Sequence, residues 1–129
     1  MWESLTSERF DPFALWQRVG GDMQLLSELV QIFAAEYPEL LLRIEEATRE
    51  GDADSLRKAS HQLKGSLLQF SAPIAARAAA DLEIVAGNNS PKNIAPAVAR
   101  VKAEIDHLVP LLQTMISGTN ARAIQAGEN

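Results

Sequence analysis

The sequence predicts an all-α fold, an antiparallel up-and-down four-helix bundle with a short additional helix at the N-terminus. Three observations lead to this prediction. Apolar residues recur at spacings of three and four over long stretches, which is the period of an amphipathic helix. Of the 129 residues 47% are apolar and only 5% are aromatic, a composition that suits packed helices better than a sheet. Connections of only a few residues favour antiparallel neighbours.

The first two helices are marked by their caps. Asp11, followed by a proline, is a helix-start signal, and the glycine pair at 20–21 ends that short apolar segment. Asp22 caps a long helix whose apolar side chains alternate spacings of four and three as far as Gly51. Pro38 lies inside this helix and removes a backbone hydrogen bond, so we expect a kink there and a break is possible in principle.

Three further helices complete the bundle. Asp52 caps the third, which is expected to run to about Phe70. An alanine-rich fourth helix is predicted over about 73–86, where small side chains permit close helix contact. The last helix begins at Pro91, and Pro110 is expected to kink it.

The chain is predicted to form one domain. Its length suits a single core, and we assign residues 1–117 to the bundle. The apolar period fades from Gly118 onward. The tail over 118–129 is therefore expected to be frayed or disordered.

Composition excludes several classes of function. There are no cysteines, so disulfides and thiolate metal sites are impossible, and two distant histidines, His61 and His107, give no metal site. A net charge of −5 without a basic stripe argues against nucleic acid as a partner. No apolar run is long enough to cross a membrane, and the N-terminus lacks a signal-peptide pattern. We expect a cytoplasmic monomer.

The third helix carries the most informative stretch of the chain. Leu56, Leu63 and Phe70 are a heptad apart and define its buried stripe. His61 lies roughly 200° around the axis from Leu63 and is expected to face solvent. Gly65, one turn further, costs about 1 kcal/mol in a helix interior, and close approach of a partner's backbone would explain it.

The motif His61-x-Leu63-Lys64-Gly65-Ser66 resembles the active-site motif of histidine-containing phosphotransfer (Hpt) domains of two-component phosphorelays. The resemblance extends over about residues 9–116. Matching positions are Phe10, Asp11, Leu15, Gly20, Gly21, Asp22, Leu25, Leu26, Leu29, Phe33, Leu40, Leu41, Gly51, Asp52, Leu56, Ala59, Leu82 and Glu83. It implies a helical bundle whose exposed histidine accepts a phosphoryl group from a receiver-domain aspartate and passes it to another such aspartate.

The resemblance also implies the partners and cofactors. The implied partners are response-regulator receiver domains and a sensor histidine kinase, the hybrid type included. The chain itself is expected to be a phosphocarrier without ATP-binding or autokinase activity, and nothing in it resembles a glycine-rich phosphate loop. It is expected to bind no cofactor, because the Mg²⁺ needed for transfer is held by the receiver.

Four side chains are assigned chemical roles. A neutral imidazole at His61 offers one nitrogen as the nucleophile. Attack by this nitrogen is easier if the other nitrogen donates its proton to a fixed acceptor. Glu83, at the polar position of the family's adjacent helix, is the candidate acceptor, and an ordinary surface glutamate is the alternative. Lys64 can neutralise phosphoryl oxygens. Arg57, one turn before His61, could assist or could simply be solvated.

Apolar residues off the core stripes are expected to form a partner-docking surface around His61, together with parts of the short first helix and with Arg57. Leu68 lies about 20° from His61 on the same face, and Ile32 lies off the stripe of its own helix. Leu68 stands where the family commonly has a small residue, so its bulk could instead obstruct a receiver. Ser71 stands where the family often has glycine, and we expect it to cap the fourth helix.

Two alternatives come from other functional classes. The phosphoacceptor helix of a histidine kinase also displays an outward histidine, but there an acidic residue typically follows it, where this chain has Gln62. The second alternative is an adaptor bundle that binds receiver or kinase domains without phosphotransfer. The combination of His61, Lys64 and Gly65 argues against it, and the bulk of Leu68 argues for it.

Overall fold

The computed structural model describes residues 2–88 and 90–128, with side chains as far as residue 117. Apart from turns and short connections the described residues are helical, and they form no β-strand beyond an isolated bridge between Ser7 and Phe10. The elements are a 3-10 helix (Glu3–Leu5), α1 (Pro12–Arg18), α2 (Met23–Glu50), α3 (Ala53–Leu68), α4 (Pro73–Gly87) and α5 (Pro91–Glu128). The predicted all-α class is confirmed. The 3-10 helix was not predicted.

Three helices begin where aspartate caps predict. The side chains of Asp11, Asp22 and Asp52 each accept a hydrogen bond from the backbone N–H three residues later, at 3.0, 3.0 and 3.1 Å. Each bond satisfies one of the N–H groups that a helix start leaves without an intrahelical partner. Gly51 ends α2 in the left-handed conformation, with φ of 69°.

The four long helices close into a ring. α3 packs between α2 and α4, and α5 packs against both α2 and α4. Apolar stripes of all four helices meet in the centre. The fully buried side chains include Leu26, Leu40, Ile44, Leu56, Leu63, Leu67, Leu82, Ile105 and Leu112. This arrangement is the predicted four-helix bundle.

The N-terminal segment packs against the bundle at the end of α3. Trp2 is buried and contacts the rings of Phe13 and Trp16, with centroids 6.2 and 5.3 Å away. Arg18, in the last turn of α1, donates a hydrogen bond to the backbone carbonyl of Leu68. α1 is therefore tied to the C-terminal end of α3.

Prolines inside the long helices do not interrupt them. α2 continues through Pro38, and α5 continues through Pro96 and Pro110. The possible break at Pro38 is thus absent. α3 ends at Leu68, two residues before the predicted end. The predicted fraying of the tail over 118–129 falls largely outside the described side chains and stays a prediction.

The prediction that Ser71 caps α4 is wrong. Ala72 occupies the cap position, and no side chain caps this helix. Ser71 instead adopts a left-handed conformation with φ of 53°, and its carbonyl accepts a hydrogen bond from the N–H of Asp11. The short connection from α3 to α4 requires this reversal. A left-handed backbone explains why glycine suits the position better than serine does.

Replacing Ser71 with glycine is expected to stabilise the protein. A non-glycine residue in the left-handed region costs about 1–2 kcal/mol, and the added freedom of glycine in the unfolded chain offsets roughly 0.5–1 kcal/mol of that. The free energy of unfolding, measured with urea, should rise by about 0.5–1 kcal/mol. Ser71→Ala keeps the strain and should give no gain. A lower free energy of unfolding in Ser71→Gly would mean that the serine side chain itself stabilises the turn.

In the described part of the chain, no helix is long and apolar enough to cross a membrane.

Candidate functional site

His61 lies on the outer face of α3, as its helical phase predicts. Its side chain is 65% exposed, whereas Leu56, Leu63 and Leu67 on the opposite face are buried. The polar Ser60 is also buried there, and its hydroxyl donates to the carbonyl of Leu56 at 2.7 Å. Burial of the apolar stripe thus fixes the rotation of α3 and turns His61 toward solvent.

Glu83 of α4 holds one nitrogen of the His61 ring. His61 Nδ1 lies 2.8 Å from Glu83 Oε2. An ionised carboxylate can only accept hydrogen bonds, so Nδ1 carries the hydrogen in this contact. In the neutral ring, Nε2 then has a free lone pair, and it is the nitrogen available to a reactant.

Lys64 bonds to the other oxygen of the same carboxylate. Its Nζ lies 2.9 Å from Glu83 Oε1. The side chains of Lys64 and Glu83 are only 28% and 19% exposed, so this ion pair is better shielded than His61. Hydrogen bonds from Lys64 and, less strongly, from His61 hold the pKa of the Glu83 carboxyl below its ordinary value, against the opposing effect of burial.

The alanines of α4 allow this contact between helices. Small side chains at a helix interface permit a short distance between helix axes. The buried residues of α4 are Ala75, Ala76, Ala78, Ala79, Leu82 and Ala86. Close packing of α4 on α3 brings the Glu83 side chain within reach of two donors on the neighbouring helix.

Gly65 follows His61 by one turn and faces open space. A Cβ at this position would meet no heavy atom within 4 Å outside its own helix backbone. Its φ is not among the positive values found at Gly20, Gly21 and Gly51. Neither the backbone conformation nor packing within the chain therefore requires glycine at position 65.

Leu68 and Ile32 are exposed, as their phases predict. Their exposures are 55% and 60%. Ile32 lines a cavity of about 210 Å³ together with Ser66 and Gln69, so it adjoins the last turn of α3. Leu68 lies in that same turn. The two side chains are exposed at the end of α3 that follows His61.

Arg57 is paired within its own helix. Its guanidinium lies 3.2 Å from the carboxylate of Asp54, three residues earlier. An acid in the first turn of α3 thus engages Arg57. This pair could have been predicted from the sequence, because oppositely charged residues three positions apart are neighbours on the surface of a helix.

Several features near this face were not predicted from the sequence. The ion pair between Lys64 and Glu83 is the main one, since each residue was given a separate role. Ser66, next to Gly65, donates a hydrogen bond to Glu36 of α2. Ile84, which follows Glu83 on α4, is also exposed, at 60%, and its position off the buried stripe of that helix could have revealed it.

No metal site is formed by the side chains that the structure describes. They contain no group of three or more histidine, cysteine, aspartate or glutamate residues placed to hold a metal ion. His107 is exposed on α5 and is far along the chain from His61.

A comparison with protein-family models adds an independent observation. The family model described as Hpt domain matches residues 28–114, about two-thirds of the chain. The chain belongs to the Hpt domain family. The matched range contains His61 and Glu83, and it excludes the 3-10 helix and α1. Comparisons with curated proteins and with solved structures gave no match.

Membership in the Hpt family gives the general function. Hpt domains serve phosphotransfer in two-component systems and interact there with receiver domains and kinases. The family is one of helical bundles, in agreement with the fold of this chain.

Proposed function

We propose that this Hpt domain is a phosphorelay intermediate that accepts a phosphoryl group on His61 from a receiver-domain aspartate and passes it to another receiver-domain aspartate. The observation that supports this most directly is the state of the imidazole. His61 is 65% exposed, and its Nδ1 is engaged by Glu83, which leaves Nε2 free to react.

The reaction follows from this arrangement. The Nε2 lone pair attacks the phosphorus of an aspartyl phosphate, the N–P bond forms, and the O–P bond breaks with its electron pair going to the aspartate oxygen. The ring gains positive charge, which the Glu83 carboxylate stabilises through Nδ1–H. The same steps in reverse deliver the phosphoryl group to the next aspartate.

The partner contributes the metal ion, and Lys64 of this chain contributes a positive charge. We assign Mg²⁺ to the receiver domain, and this chain acts as a phosphocarrier without ATP-binding or autokinase activity. Lys64 adds a positive charge within one helical turn of His61, where it offsets the negative charge of Glu83 and of the phosphoryl group.

A docking surface for the receiver surrounds His61. We define it as Gly65, Leu68, Ile32 and Arg57. Leu68 and Ile32 are exposed apolar side chains that the core does not use, and Gly65 leaves room for a partner's backbone. Arg57 contributes a charged edge that is 45% exposed.

Leu68→Glu tests the docking surface. The bundle should stay folded because Leu68 is exposed, and receiver binding should weaken by about 1 kcal/mol or more, measured by isothermal titration calorimetry. Leu42→Glu is the matched control, because Leu42 is 54% exposed and lies about 160° from the buried Leu40 stripe of α2. Faster phosphotransfer in Leu68→Glu would identify Leu68 as an obstruction and favour the adaptor alternative.

Label transfer from receiver domains tests the proposed function itself. A panel of receiver domains from the same genome is phosphorylated with labelled donor, and each is incubated with this chain and Mg²⁺. At least one receiver should give label on this chain that is acid-labile and base-stable, as expected for a phosphoramidate bond. Binding of receivers without any transfer across the whole panel would replace the relay by the adaptor.

A further inference from the structure

The cavity beside Ile32 is a cleft between α2 and the end of α3. Its volume is about 210 Å³. One wall is apolar, and the polar groups in it are two side chains from the end of α3 and one carboxylate from α2. The apolar wall includes Leu29, Ile32 and Phe33, and the polar groups belong to Glu36, Ser66 and Gln69. We call this site the α2–α3 cleft.

The carboxylate of Glu36 is partly buried, and no lysine or arginine in the described part of the chain pairs with it. Its Oε1 accepts a hydrogen bond from the neutral hydroxyl of Ser66. No described group donates a hydrogen bond to its Oε2. The four other partly buried acids of the described chain each pair with a basic side chain. These pairs are Glu45 with Lys102, Asp81 with Arg100, Glu83 with Lys64, and Glu104 with Arg9.

A partly buried carboxylate without a cation is a binding group for one. Burial removes water from the charge and weakens its screening, so the attraction to a positive charge is stronger than on an open surface. An arginine or lysine side chain has an apolar stem and a charged head. In the α2–α3 cleft the stem can pack on the wall formed by Ile32 and Leu29, while the head reaches Glu36 Oε2.

The α2–α3 cleft adjoins the docking surface. Ile32 belongs to both, and Ser66 follows Gly65 directly in the sequence. A receiver domain that covers Gly65 and Ile32 therefore also covers the mouth of the cleft. The side chain that enters the cleft would come from that receiver.

We propose that Glu36 is a specificity-determining residue: the α2–α3 cleft accepts one arginine or lysine side chain of the docked receiver domain, and the charge of that side chain pairs with Glu36. This inference rests on the proposed function for the identity of the partner. A receiver that presents an apolar or acidic residue there would cover the carboxylate without supplying a cation. Such a receiver would bind more weakly, so the charge pair discriminates between receivers.

A double-mutant cycle on the complex tests this pair. The receiver domain of the same genome that binds the parent chain most tightly is used, and binding without phosphorylation is measured by isothermal titration calorimetry. Glu36→Gln should raise Kd about tenfold. Each exposed arginine and lysine of the receiver is then changed to methionine. One of these variants should bind the parent chain about tenfold more weakly and Glu36→Gln less than about twofold more weakly. Parent-like binding by Glu36→Gln, or the absence of any such coupled residue on the receiver, overturns the proposal.

A small cation tests the cleft without a receiver. Butylguanidinium carries the head of an arginine on an apolar stem, and butylurea is its uncharged analogue of nearly the same shape. Each is titrated into the protein and followed by ¹H–¹⁵N correlation spectra. The backbone amide signals of Ile32, Ser66 and Gln69 should shift at least about fivefold more with butylguanidinium than with butylurea. Glu36→Gln should remove this difference. Equal shifts with both compounds in the parent chain overturn the proposal.

Glu46→Gln is the matched control. Glu46 is exposed on the same helix, and its replacement removes the same formal charge ten positions further on, about 15 Å along the axis. Kd should stay within about twofold of the parent value. A loss equal to that of Glu36→Gln would show an effect of net charge and overturn the proposal. If no receiver binds the parent chain, the proposed function fails, and the comparison of butylguanidinium with butylurea still decides whether the cleft selects a cation.

Discussion

Replacing His61 with glutamine is expected to reduce acid-labile phosphoryl label to background, with phosphoramidate and with receiver domains as the donor. His61 is the side chain that combines an exposed Nε2, a carboxylate on Nδ1 and a glycine one turn away. Glutamine keeps similar bulk and polarity but offers no nucleophilic ring nitrogen. The label is counted after separation of the proteins, and base stability distinguishes phosphohistidine from an acyl phosphate.

The fold of His61→Gln should be retained. The side chain is largely exposed, so the free energy of unfolding should change by no more than about 1 kcal/mol, and helicity by circular dichroism should be unchanged. His107→Gln is the matched control, since His107 is also exposed but lies on α5, and it should keep full label. Label that persists in His61→Gln would move the phosphoacceptor to another residue.

The helix starts could be predicted because their signals are local. Asp11, Asp22 and Asp52 each bond to an N–H three residues later, so the interaction that begins the helix lies within a few residues of sequence. The conformation of Ser71 could not be predicted in this way. Its positive φ follows from the direction in which the chain must leave α3 to pack α4 beside it, which is a property of the packed bundle.

The exposure of His61 could be predicted from the sequence, whereas the joint contact of His61 and Lys64 with Glu83 could not. The exposure of His61 follows from the phase of the buried stripe on its own helix. The joint contact of His61 and Lys64 with Glu83 depends on the register of α3 against α4, and these residues are 22 and 19 positions apart in the sequence. The spacing of three residues places His61 and Lys64 side by side, but it does not identify the group between them.

Interhelix polar contacts also distinguish Arg57 from Lys64. Both are basic residues within four positions of His61, so the sequence assigns them related roles. Arg57 is engaged by Asp54 on its own helix, whereas Lys64 reaches the carboxylate on α4. The two residues are a heptad apart on α3, and Arg57 also lies beside Gly87 of α4, so the difference arises from which carboxylate lies within reach of each side chain along the helix.

Gly65→Gln is expected to slow phosphotransfer from a receiver domain to His61 by at least about tenfold. A Cβ at position 65 meets no atom of this chain within 4 Å outside its own helix, and the backbone there does not require glycine. The remaining reason for a glycine that costs about 1 kcal/mol in a helix is the approach of a partner. A longer side chain one turn from His61 would hold the receiver away and lengthen the distance between Nε2 and the aspartyl phosphate, a displacement to which phosphoryl transfer is sensitive.

Two further measurements, one on Gly65→Ala and one with a small phosphoryl donor, test whether the effect of Gly65→Gln arises from docking of the receiver. Alanine should raise the free energy of unfolding by about 1 kcal/mol, because it improves helix propensity in open space. It should slow receiver transfer less than glutamine does, since a methyl group adds little bulk. Phosphoramidate should label Gly65→Gln and the parent chain at similar rates, because a small donor fits beside either side chain. Receiver transfer at the parent rate in Gly65→Gln would remove close approach as the reason for glycine at this position.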